Sequence, residues 1–323
     1  MGLRAFVLAA GLGTRLRPLT DRWPKPAVPF LGAPLLRRTF TVLQRAGVDR
    51  VAVNTHHLPE RMAQVAREEG SRLGLAVTVV HEAVIQGTAG GLRGMQAALP
   101  GNDPVVAWNG DILFAPDLAA ILESHRRWGA AATMVLLPMP GGRSYGAVEV
   151  DAGGSVRRIS GVGAAGAGLT PWHFSGVHVL SSAVFAAMKP SGPEDINREL
   201  YPRLFASGGV RGLIVEGGWS DLGSPATYLD AQAEVLAGRM EDPLLDRAGG
   251  SGRRAPGPLL ATGARVHPSA ALAADVFVDA GVEVAAGARI ERAALLPGAT
   301  VVPGEHIRGE IRWEGGGRLA EGP

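Results

Sequence analysis

The chain has 323 residues, of which 46% are hydrophobic, and its formal net charge is +2. This length and apolar fraction suffice for one α/β domain of about 230 residues and a smaller second unit. The absence of cysteine excludes disulfides, thiolate catalysis and cysteine-ligated metals, and the lack of a basic run with interleaved aromatic residues disfavours nucleic acid as a partner.

Short apolar runs rich in β-branched residues alternate with segments whose apolar residues recur every three or four positions. The predicted strands span residues 3–10, 50–54, 76–81, 105–108 and 132–137. The predicted helices span residues 35–46, 60–68, 90–99 and 117–128. This alternation predicts an α/β fold with a mostly parallel sheet, whose ligands bind beyond the carboxyl ends of the strands.

The first predicted strand runs into a glycine-rich turn that begins at Gly11. Gly11 and Gly13 lack side chains, so backbone N–H groups can approach phosphate oxygens there. Thr14 adds a hydroxyl and Arg15 a guanidinium fork that matches a phosphate. The turn lacks the Lys-Ser/Thr of a P-loop and has Leu16 where a dinucleotide motif has its third glycine. It indicates an anion site, with an ordinary strand-to-helix turn as the alternative.

The stretch from Leu8 to Thr20, followed by Pro24-Lys25-Pro26, resembles without a gap the opening motif of the sugar-1-phosphate nucleotidyltransferases. The resemblance implies a Rossmann-like domain whose glycine loop holds a nucleoside triphosphate. Arg15 would stabilise the departing pyrophosphate and Lys25 would orient phosphate oxygens, so both are implied catalytic residues. The implied nucleotide contacts in this region are Leu8, Ala10, Gly11, Gly13, Thr14 and Arg15.

Two aspartates follow predicted strands far apart in the chain. Asp111 comes after Asn109-Gly110, and Asp221 lies in a Trp-Ser-Asp-Leu-Gly stretch. From the residues alone Asp111 could belong to a turn, and Asp221 could cap a helix, although Ser224 is better placed for that role. The resemblance implies that Asp111 and Asp221 bind Mg²⁺ and that Asp111 is catalytic. Magnesium keeps several waters, so two carboxylates and phosphate oxygens suffice to hold it.

Three further segments resemble the substrate-reading parts of the same family. Residues 82–91 resemble its base-recognition segment, most closely that of mannose-1-phosphate guanylyltransferases. Residues 174–177 resemble instead uridylyltransferases of the glucose or N-acetylmuramic acid type, and residues 145–148 resemble a sugar-binding turn. The alternative is that these stretches are plain turns. The implied nucleotide contacts are Glu82, Gly87, Thr88 and Gly110, and the implied sugar contacts are Asn109, Gly146 and Ser175.

The sequence departs from the family after Val156, where a Glu-Lys-Pro usually holds the sugar and its phosphate. The chain has Arg157 and Arg158 there, and strand alternation predicts that at least one faces solvent. The resemblance favours guanylyl transfer to mannose 1-phosphate. The departure at Arg157 and Arg158 leaves alternatives open. These are uridylyl or thymidylyl transfer to another sugar 1-phosphate, cytidylyl transfer to a non-sugar phosphate, and a non-catalytic nucleotide-sugar-binding regulatory subunit.

The C-terminal part has a different pattern. Aliphatic residues recur every six positions from Val266 to Val302, a hexapeptide repeat that predicts a three-sided parallel β-helix with these residues inward. The resemblance implies that it is left-handed. About two coils cannot stand alone, so we expect them to pack on the first domain or on a second copy of the chain. The predicted domains are a nucleotidyltransferase domain (1–237), a linker (238–262), the β-helix (263–312) and a tail (313–323).

No apolar run reaches the roughly 18 residues that a membrane-spanning helix needs. The first residues have the pattern of a strand rather than that of a signal peptide. We therefore expect a cytoplasmic protein with no membrane partner. The resemblance implies that its partners are a nucleoside triphosphate, a sugar 1-phosphate and Mg²⁺.

Overall fold

The computed structural model describes residues 2–101, 104–141, 145–245 and 257–322. Part of the predicted linker, residues 246–256, lies outside the described residues. Contacts divide the chain into two compact units. Unit 1 comprises Met1–Gly11, Thr39–Gly110 and Pro116–Gly217. Unit 2 comprises Leu12–Arg38, Asp111–Ala115 and Gly218–Pro323.

The structure contains seven α-helices and 23 strands among the described residues. The helices are α1 (Leu35–Arg45), α2 (Pro59–Leu73), α3 (Gly87–Ala98), α4 (Leu118–Trp128), α5 (Ser182–Ala186), α6 (Tyr201–Phe205) and α7 (Pro225–Leu236). The strands are β1 (Leu3–Leu8), β2 (Pro29–Phe30), β3 (Ala33–Pro34), β4 (Val48–Thr55), β5 (Ala76–His81), β6 (Val105–Asn109), β7 (Leu113–Phe114), β8 (Ala132–Leu137), β9 (Ala147–Val150), β10 (Val156–Ile159), β11 (Val162–Gly163), β12 (Thr170–Leu180), β13 (Val210–Ile214), β14 (Trp219–Ser220), β15 (Leu259–Leu260), β16 (Arg265–Val266), β17 (Ala271–Leu272), β18 (Phe277–Val278), β19 (Glu283–Val284), β20 (Arg289–Leu295), β21 (Thr300–Val301), β22 (His306–Trp313) and β23 (Gly317–Ala320). No helix among these residues is long and apolar enough to cross a membrane.

Unit 1 is built on a mixed ten-stranded sheet. Its strands β5, β4, β1 and β6 lie side by side and run parallel, as the alternation of strands and helices predicts. β12 pairs antiparallel with β6, β8 and β9, an arrangement that the sequence pattern does not indicate. The centre of β1, Ala5–Val7, is completely buried, which fits a strand in the middle of a sheet covered on both faces.

The start of α7 shows which residue caps this helix. The Ser224 hydroxyl accepts a hydrogen bond from the backbone N–H of Thr227 at 3.2 Å, and the Thr227 hydroxyl accepts one from the backbone N–H of Ser224 at 2.9 Å. Pro225 occupies the first helical position, where a missing N–H costs nothing. The prediction that Ser224 is the better cap is thus confirmed, and Asp221 is left for another role.

The core of unit 2 joins residues that are far apart in the sequence. It unites apolar side chains of the 12–38 segment, of α7 and of the C-terminal strands. Tyr228 packs edge-on against Phe30 with ring centroids 5.1 Å apart, and its hydroxyl donates to the Pro29 carbonyl at 2.6 Å. Phe277 lies beneath Gly32, where an added Cβ would contact its ring at 3.6 Å. The segment with the triphosphate motif therefore has its hydrophobic support in the C-terminal part of the chain.

The C-terminal region consists of several short strands that pair in parallel. Leu259 pairs with Phe277, and Ala271 pairs with Arg289, a spacing of 18 residues. From Phe277 onward the spacing shortens to 17, because Phe277 pairs with Ala294.

This shortening overturns two inward positions expected from the repeat. Leu295 takes the interior position expected for Leu296, and Leu296 packs instead in the core that contains Tyr228 and Phe30. The repeat also places Val302 inside, but 59% of Val302 is exposed. Arg292 adopts a left-handed conformation with φ 44°, and beyond it Val284 pairs with Val301 rather than with Val302. One residue of the six-residue period is lost at this bend, so Val301 takes the buried position.

A buried ion pair ties the end of the 12–38 segment to the residues after α7. The Nε atom of Arg38 lies 2.8 Å and its Nη2 atom 2.7 Å from Oδ2 of Asp242, and both side chains are almost completely buried. The same guanidinium donates to the Ala33 carbonyl and stacks over the Phe30 ring at 4.9 Å. Such a pair is costly to break from one side, because the remaining charge stays buried.

We predict that Asp242→Ala lowers the free energy of unfolding by about 3–5 kcal/mol, because it leaves the Arg38 guanidinium buried without its carboxylate. The double variant Arg38→Met/Asp242→Leu should recover most of that loss, since it removes both charges. Urea unfolding of the three proteins measures the difference. Equal destabilisation by the single and the double variant would contradict the assigned role.

Candidate active site

The two predicted metal-binding aspartates belong to unit 2 and lie at the same end of a short ladder. β7 and β14 pair antiparallel, with Leu113 opposite Ser220. Asp221 directly follows Ser220, and Asp111 lies two residues before Leu113, so the register places both carboxylates at the same end of the ladder. The Oδ1 atom of Asp221 accepts a hydrogen bond from the backbone N–H of Gly223 at 3.1 Å.

Each of these carboxylates is paired with one of the predicted catalytic cations. Lys25 Nζ donates to Asp111 Oδ2 at 2.8 Å, and the Lys25 side chain is only 8% exposed. Arg15 Nη2 lies 3.5 Å from Asp221 Oδ2, and the Arg15 side chain is 68% exposed. The four groups carry two positive and two negative formal charges, so the cluster is electrically balanced in the structure.

The loop that presents Arg15 depends on a left-handed glycine. Gly13 has φ 62°, and its carbonyl accepts hydrogen bonds from the Thr20 hydroxyl at 2.8 Å and from the Leu16 N–H at 3.1 Å. A side chain at Gly13 would also approach Thr20 Cγ2 at 3.0 Å. Thr14–Leu16 then form one 3₁₀ turn, which brings Arg15 to the surface.

The oxygen chemistry of Asp111 and Asp221 fits a magnesium ion. Carboxylate oxygens are the protein ligands that Mg²⁺ prefers, and it commonly uses only one or two of them. Within residues 2–101, 104–141, 145–245 and 257–322, no group of three or more His, Cys, Asp or Glu side chains is arranged to hold a metal. An ion held by these two aspartates would therefore need water and phosphate oxygens to complete its coordination.

The predicted nucleotide contacts before the glycine loop belong to unit 1. Gly110 follows β6, and its backbone N–H donates to the Leu8 carbonyl at 2.8 Å. Ala10 is buried, whereas a Cβ added at Gly11 would have nothing within 4 Å, so the surroundings of Gly11 are open. The chain passes from unit 1 to unit 2 directly after Gly11 and again directly after Gly110.

Gly87 and Thr88 are anchored to a segment that sequence reasoning missed. The Glu194 carbonyl accepts hydrogen bonds from Ala89 N–H at 2.9 Å and from Gly90 N–H at 3.3 Å. Gly87 has φ 70°, and an added Cβ would lie 2.6 Å from the same carbonyl oxygen. The Thr88 hydroxyl accepts from the Ile196 N–H at 2.8 Å. No local sequence motif predicts these hydrogen bonds, because Thr88 and Ile196 lie 108 residues apart in the chain.

Glu82 is 7% exposed, and both of its carboxylate oxygens accept hydrogen bonds from the protein. The donors are the Asn54 side-chain amide at 2.7 Å and the Gln86 backbone N–H at 2.9 Å. Asn54 lies at the end of β4 and was not singled out by the sequence. The carboxylate of Glu82 thus has internal partners on both sides.

The structure corrects one predicted sugar contact. Ser175 is completely buried in β12, and its hydroxyl donates to the Val135 carbonyl at 2.8 Å. Its side chain therefore points into the protein and is not offered to a ligand. The neighbouring Gly176 has φ 90°, and an added Cβ would approach Asn109 Nδ2 at 3.0 Å. At Gly146 an added Cβ would meet the hydroxyl of Ser160, an exposed side chain that can rotate away.

Arg157 and Arg158, of which strand alternation predicts that at least one faces solvent, are partly exposed to a similar extent. The pairing of β10 with β9 shifts register between Val156 and Arg158, and both arginines are half-buried. Arg157 Nε donates to Asp151 at 2.7 Å, and Arg158 Nη1 donates to Glu149 at 3.2 Å. The Ser155 N–H, together with the Arg157 guanidinium, holds the pKa of Asp151 below its usual value. Both arginines are thus engaged by carboxylates of their own sheet.

The fold and these residues define a nucleotidyltransferase, and comparison with known proteins agrees. A family model described as nucleotidyl transferase matches residues 4–238, so the chain belongs to this family. The chain is 31% identical over 281 residues to a mannose-1-phosphate guanylyltransferase of Mycobacterium tuberculosis, covering 86% of this chain and 76% of that protein. It is 32% identical over 249 residues to a UTP–glucose-1-phosphate uridylyltransferase of Synechocystis, covering 73% of this chain and 64% of that one.

A solved structure shares the fold. The crystal structure of HddC from Yersinia pseudotuberculosis matches with a TM-score of 0.60 and 22% identity, over 71% of this chain and 97% of that one. The family model and the two relatives confirm the resemblance to the sugar-1-phosphate nucleotidyltransferases that is seen in the sequence.

We predict that Gly87→Ala weakens nucleoside triphosphate binding and destabilises the protein by more than the roughly 1–2 kcal/mol cost of a left-handed alanine, because its Cβ also collides with the Glu194 carbonyl. Gly74→Ala is the matched control, since Gly74 has φ 69° and open space around it. Urea unfolding and titration calorimetry with nucleoside triphosphates compare the two variants. Equal free energies of unfolding and equal triphosphate affinities of Gly87→Ala and Gly74→Ala would contradict the role given to Gly87.

Proposed function

We propose that this protein transfers a nucleotidyl group from a nucleoside triphosphate to a sugar 1-phosphate and releases pyrophosphate. The observation that carries the proposal is the balanced cluster of Lys25 with Asp111 and Arg15 with Asp221. Two cations suited to phosphate and two carboxylates suited to a divalent ion are gathered in the segments that hold the family motifs. The family membership and the two bacterial relatives support the same reaction.

The chemistry needs no protein nucleophile. A sugar phosphate is largely dianionic at neutral pH, so one of its oxygens can attack the α-phosphorus without a general base. A bond forms between that oxygen and the α-phosphorus, and the bond from the α-phosphorus to the bridging oxygen breaks, with its electron pair leaving on pyrophosphate. Lys25 orients phosphate oxygens, and Arg15 neutralises charge on the leaving group.

Asp111 and Asp221 would hold Mg²⁺, which supplies further charge neutralisation at the phosphates when bound. Their present partners, Lys25 and Arg15, would then be released toward phosphate oxygens. The proposed contacts to the nucleotide remain Leu8, Ala10, Gly11, Gly13, Thr14, Gly87, Thr88 and Gly110. Glu82 belongs to the same proposed nucleotide-binding segment as Gly87 and Thr88. Asn109 and Gly146 remain the proposed contacts to the sugar.

For the substrate pair, we favour a guanosine triphosphate and mannose 1-phosphate. The mycobacterial relative is named for this activity, and residues 87–90 resemble the corresponding segment of such enzymes. Uridylyl transfer to glucose 1-phosphate is the second candidate, because the cyanobacterial relative of similar identity is named for it. Arg157 and Arg158 are not proposed as ligands of the sugar phosphate, since their guanidinium groups are paired with Asp151 and Glu149.

We also propose that residues 263–312 form a left-handed parallel β-helix. The parallel pairing of strands 17 or 18 residues apart supports it, because three six-residue sides make one coil. The end of the family model at residue 238 supports a nucleotidyltransferase domain over 1–237, followed by the proposed linker over 238–262. The proposed tail over 313–323 contains strand β23, which pairs antiparallel with β22. Assembly of copies through the β-helix belongs to the same proposal. A cytoplasmic location remains proposed as well.

The test is a matrix of the four common nucleoside triphosphates against mannose 1-phosphate, glucose 1-phosphate and phosphocholine, each with Mg²⁺. Pyrophosphate release reports transfer. We expect one sugar-phosphate pair to exceed the others clearly. Release with phosphocholine alone would favour a non-sugar acceptor, and no release with any pair would favour a binding or regulatory subunit.

We predict that Asp111→Asn lowers turnover by at least about a hundredfold, because it removes charge at the reacting phosphates and the partner of Lys25. Asp117→Asn is the matched control. Asp117 caps α4 by accepting from the Ala120 N–H at 3.0 Å, and asparagine caps helices equally well. Its turnover should stay within about twofold of the unmodified protein. Near-normal turnover of Asp111→Asn would refute the role of Asp111.

A further inference from the structure

A chain of buried hydrogen bonds in unit 1 joins the end of β1 to the segment before α3. Asn54, at the end of β4, is 2% exposed. Its Oδ1 accepts from the Ala9 backbone N–H at 2.7 Å, and its Nδ2 donates to Glu82 Oε1 at 2.7 Å. Glu82 Oε2 in turn accepts from the Gln86 backbone N–H at 2.9 Å. The chain of bonds thus ends on the backbone shortly before Gly11 and directly before Gly87.

The polarity of this chain of bonds is fixed along its whole length. Ala9 contributes an N–H, so the amide of Asn54 must face it with its oxygen. The amide nitrogen then faces position 82, which must present an acceptor. Gln86 also contributes an N–H, so position 82 must present a second acceptor on its other side. Only a carboxylate offers acceptors on both sides, which explains an acidic side chain at this buried position.

Helix α3 leaves room for the pair through a glycine. An added Cβ at Gly91 would lie 2.7 Å from Asn54 Nδ2 and 2.8 Å from Glu82 Oε1. Gly94, three residues further along the same helix, has its nearest neighbour at an ordinary 3.7 Å. A glycine costs helical stability relative to alanine, so its presence at 91 is accounted for by the buried pair.

We propose that Asn54 and Glu82 form a positioning pair. The pair holds the backbone after β1 and the backbone before α3 in the relative position that binding of one nucleoside triphosphate requires. In this role Glu82 acts through Gln86 and does not contact the base. The proposal rests on the proposed function, because both segments are proposed to bind the nucleotide. A buried network of this kind holds geometry well only when each of its members is satisfied.

Exchanging the two side chains tests the pair. Glu82→Gln alone sets an amide N–H against another donor, and Asn54→Asp alone sets two carboxylates against each other. The double variant Asn54→Asp/Glu82→Gln restores every bond, because the carboxylate at position 54 accepts from Ala9 and from the amide at position 82, whose oxygen accepts from Gln86. We expect each single variant to raise KM for the nucleoside triphosphate about tenfold or more, with KM for the sugar phosphate within about twofold. The double variant should return to within about threefold of the unmodified protein.

A second perturbation leaves both side chains unchanged. Gly91→Ala should raise KM for the nucleoside triphosphate by displacing the pair, whereas Gly94→Ala should not. As a matched control for the exchange itself, the exposed Gln64–Glu68 pair on α2, 2.8 Å apart, can be swapped as Gln64→Glu/Glu68→Gln without effect on either KM.

Two outcomes overturn the proposal. If Glu82 contacts the base directly, the double variant will bind the nucleoside triphosphate as poorly as Glu82→Gln does. The reason is that the carboxylate then stands at position 54 instead of position 82. If the pair is only structural, the single variants will lower the melting temperature without separating the two KM values. Titration calorimetry with the nucleoside triphosphate alone, and hydrogen exchange at the Ala9 and Gln86 amides, do not depend on turnover. Rescue by the exchange in these readouts would therefore support the pair even if the proposed transfer reaction failed.

Discussion

The pairing of two cations with two carboxylates is the interaction on which the account depends. A triphosphate binds to positively charged side chains, and a divalent ion binds to negatively charged ones. Side chains of both signs must therefore be accommodated in the same site when neither ligand is bound. Lys25 with Asp111 and Arg15 with Asp221 meet this constraint by neutralising each other. The nearly buried Lys25 would otherwise be an unpaired interior charge, which is costly.

The rest of unit 2 keeps these four groups in place. The ladder of β7 and β14 fixes the aspartates, and the left-handed Gly13 fixes the turn that carries Arg15. Beneath them, Tyr228 and Phe277 pack against the 29–32 stretch of the same segment. The C-terminal strands therefore do more than extend the chain, because they complete the hydrophobic support of the segment that holds Lys25.

The sequence was most informative where a signal is local. Short patterns predict the parallel strands and the capping role of Ser224. The motif around Arg15 likewise predicts the family to which the chain belongs. The contact of Asn54 with Glu82 and the anchoring of α3 by Glu194 could not be predicted, because each joins distant residues without a motif. For the same reason, the pattern alone could not show that Ser175 turns inward or that the six-residue period loses a residue near Arg292.

The most direct test of the central claim follows the attacking oxygen. Mannose 1-phosphate, or the acceptor that the substrate matrix identifies, is labelled with ¹⁸O on its non-bridging phosphate oxygens and incubated with a nucleoside triphosphate and Mg²⁺. Attack of the sugar phosphate on the α-phosphorus predicts that all label stays in the nucleotide sugar and that the pyrophosphate is unlabelled by mass spectrometry. Label in the pyrophosphate, or no nucleotide sugar at all, would contradict the account.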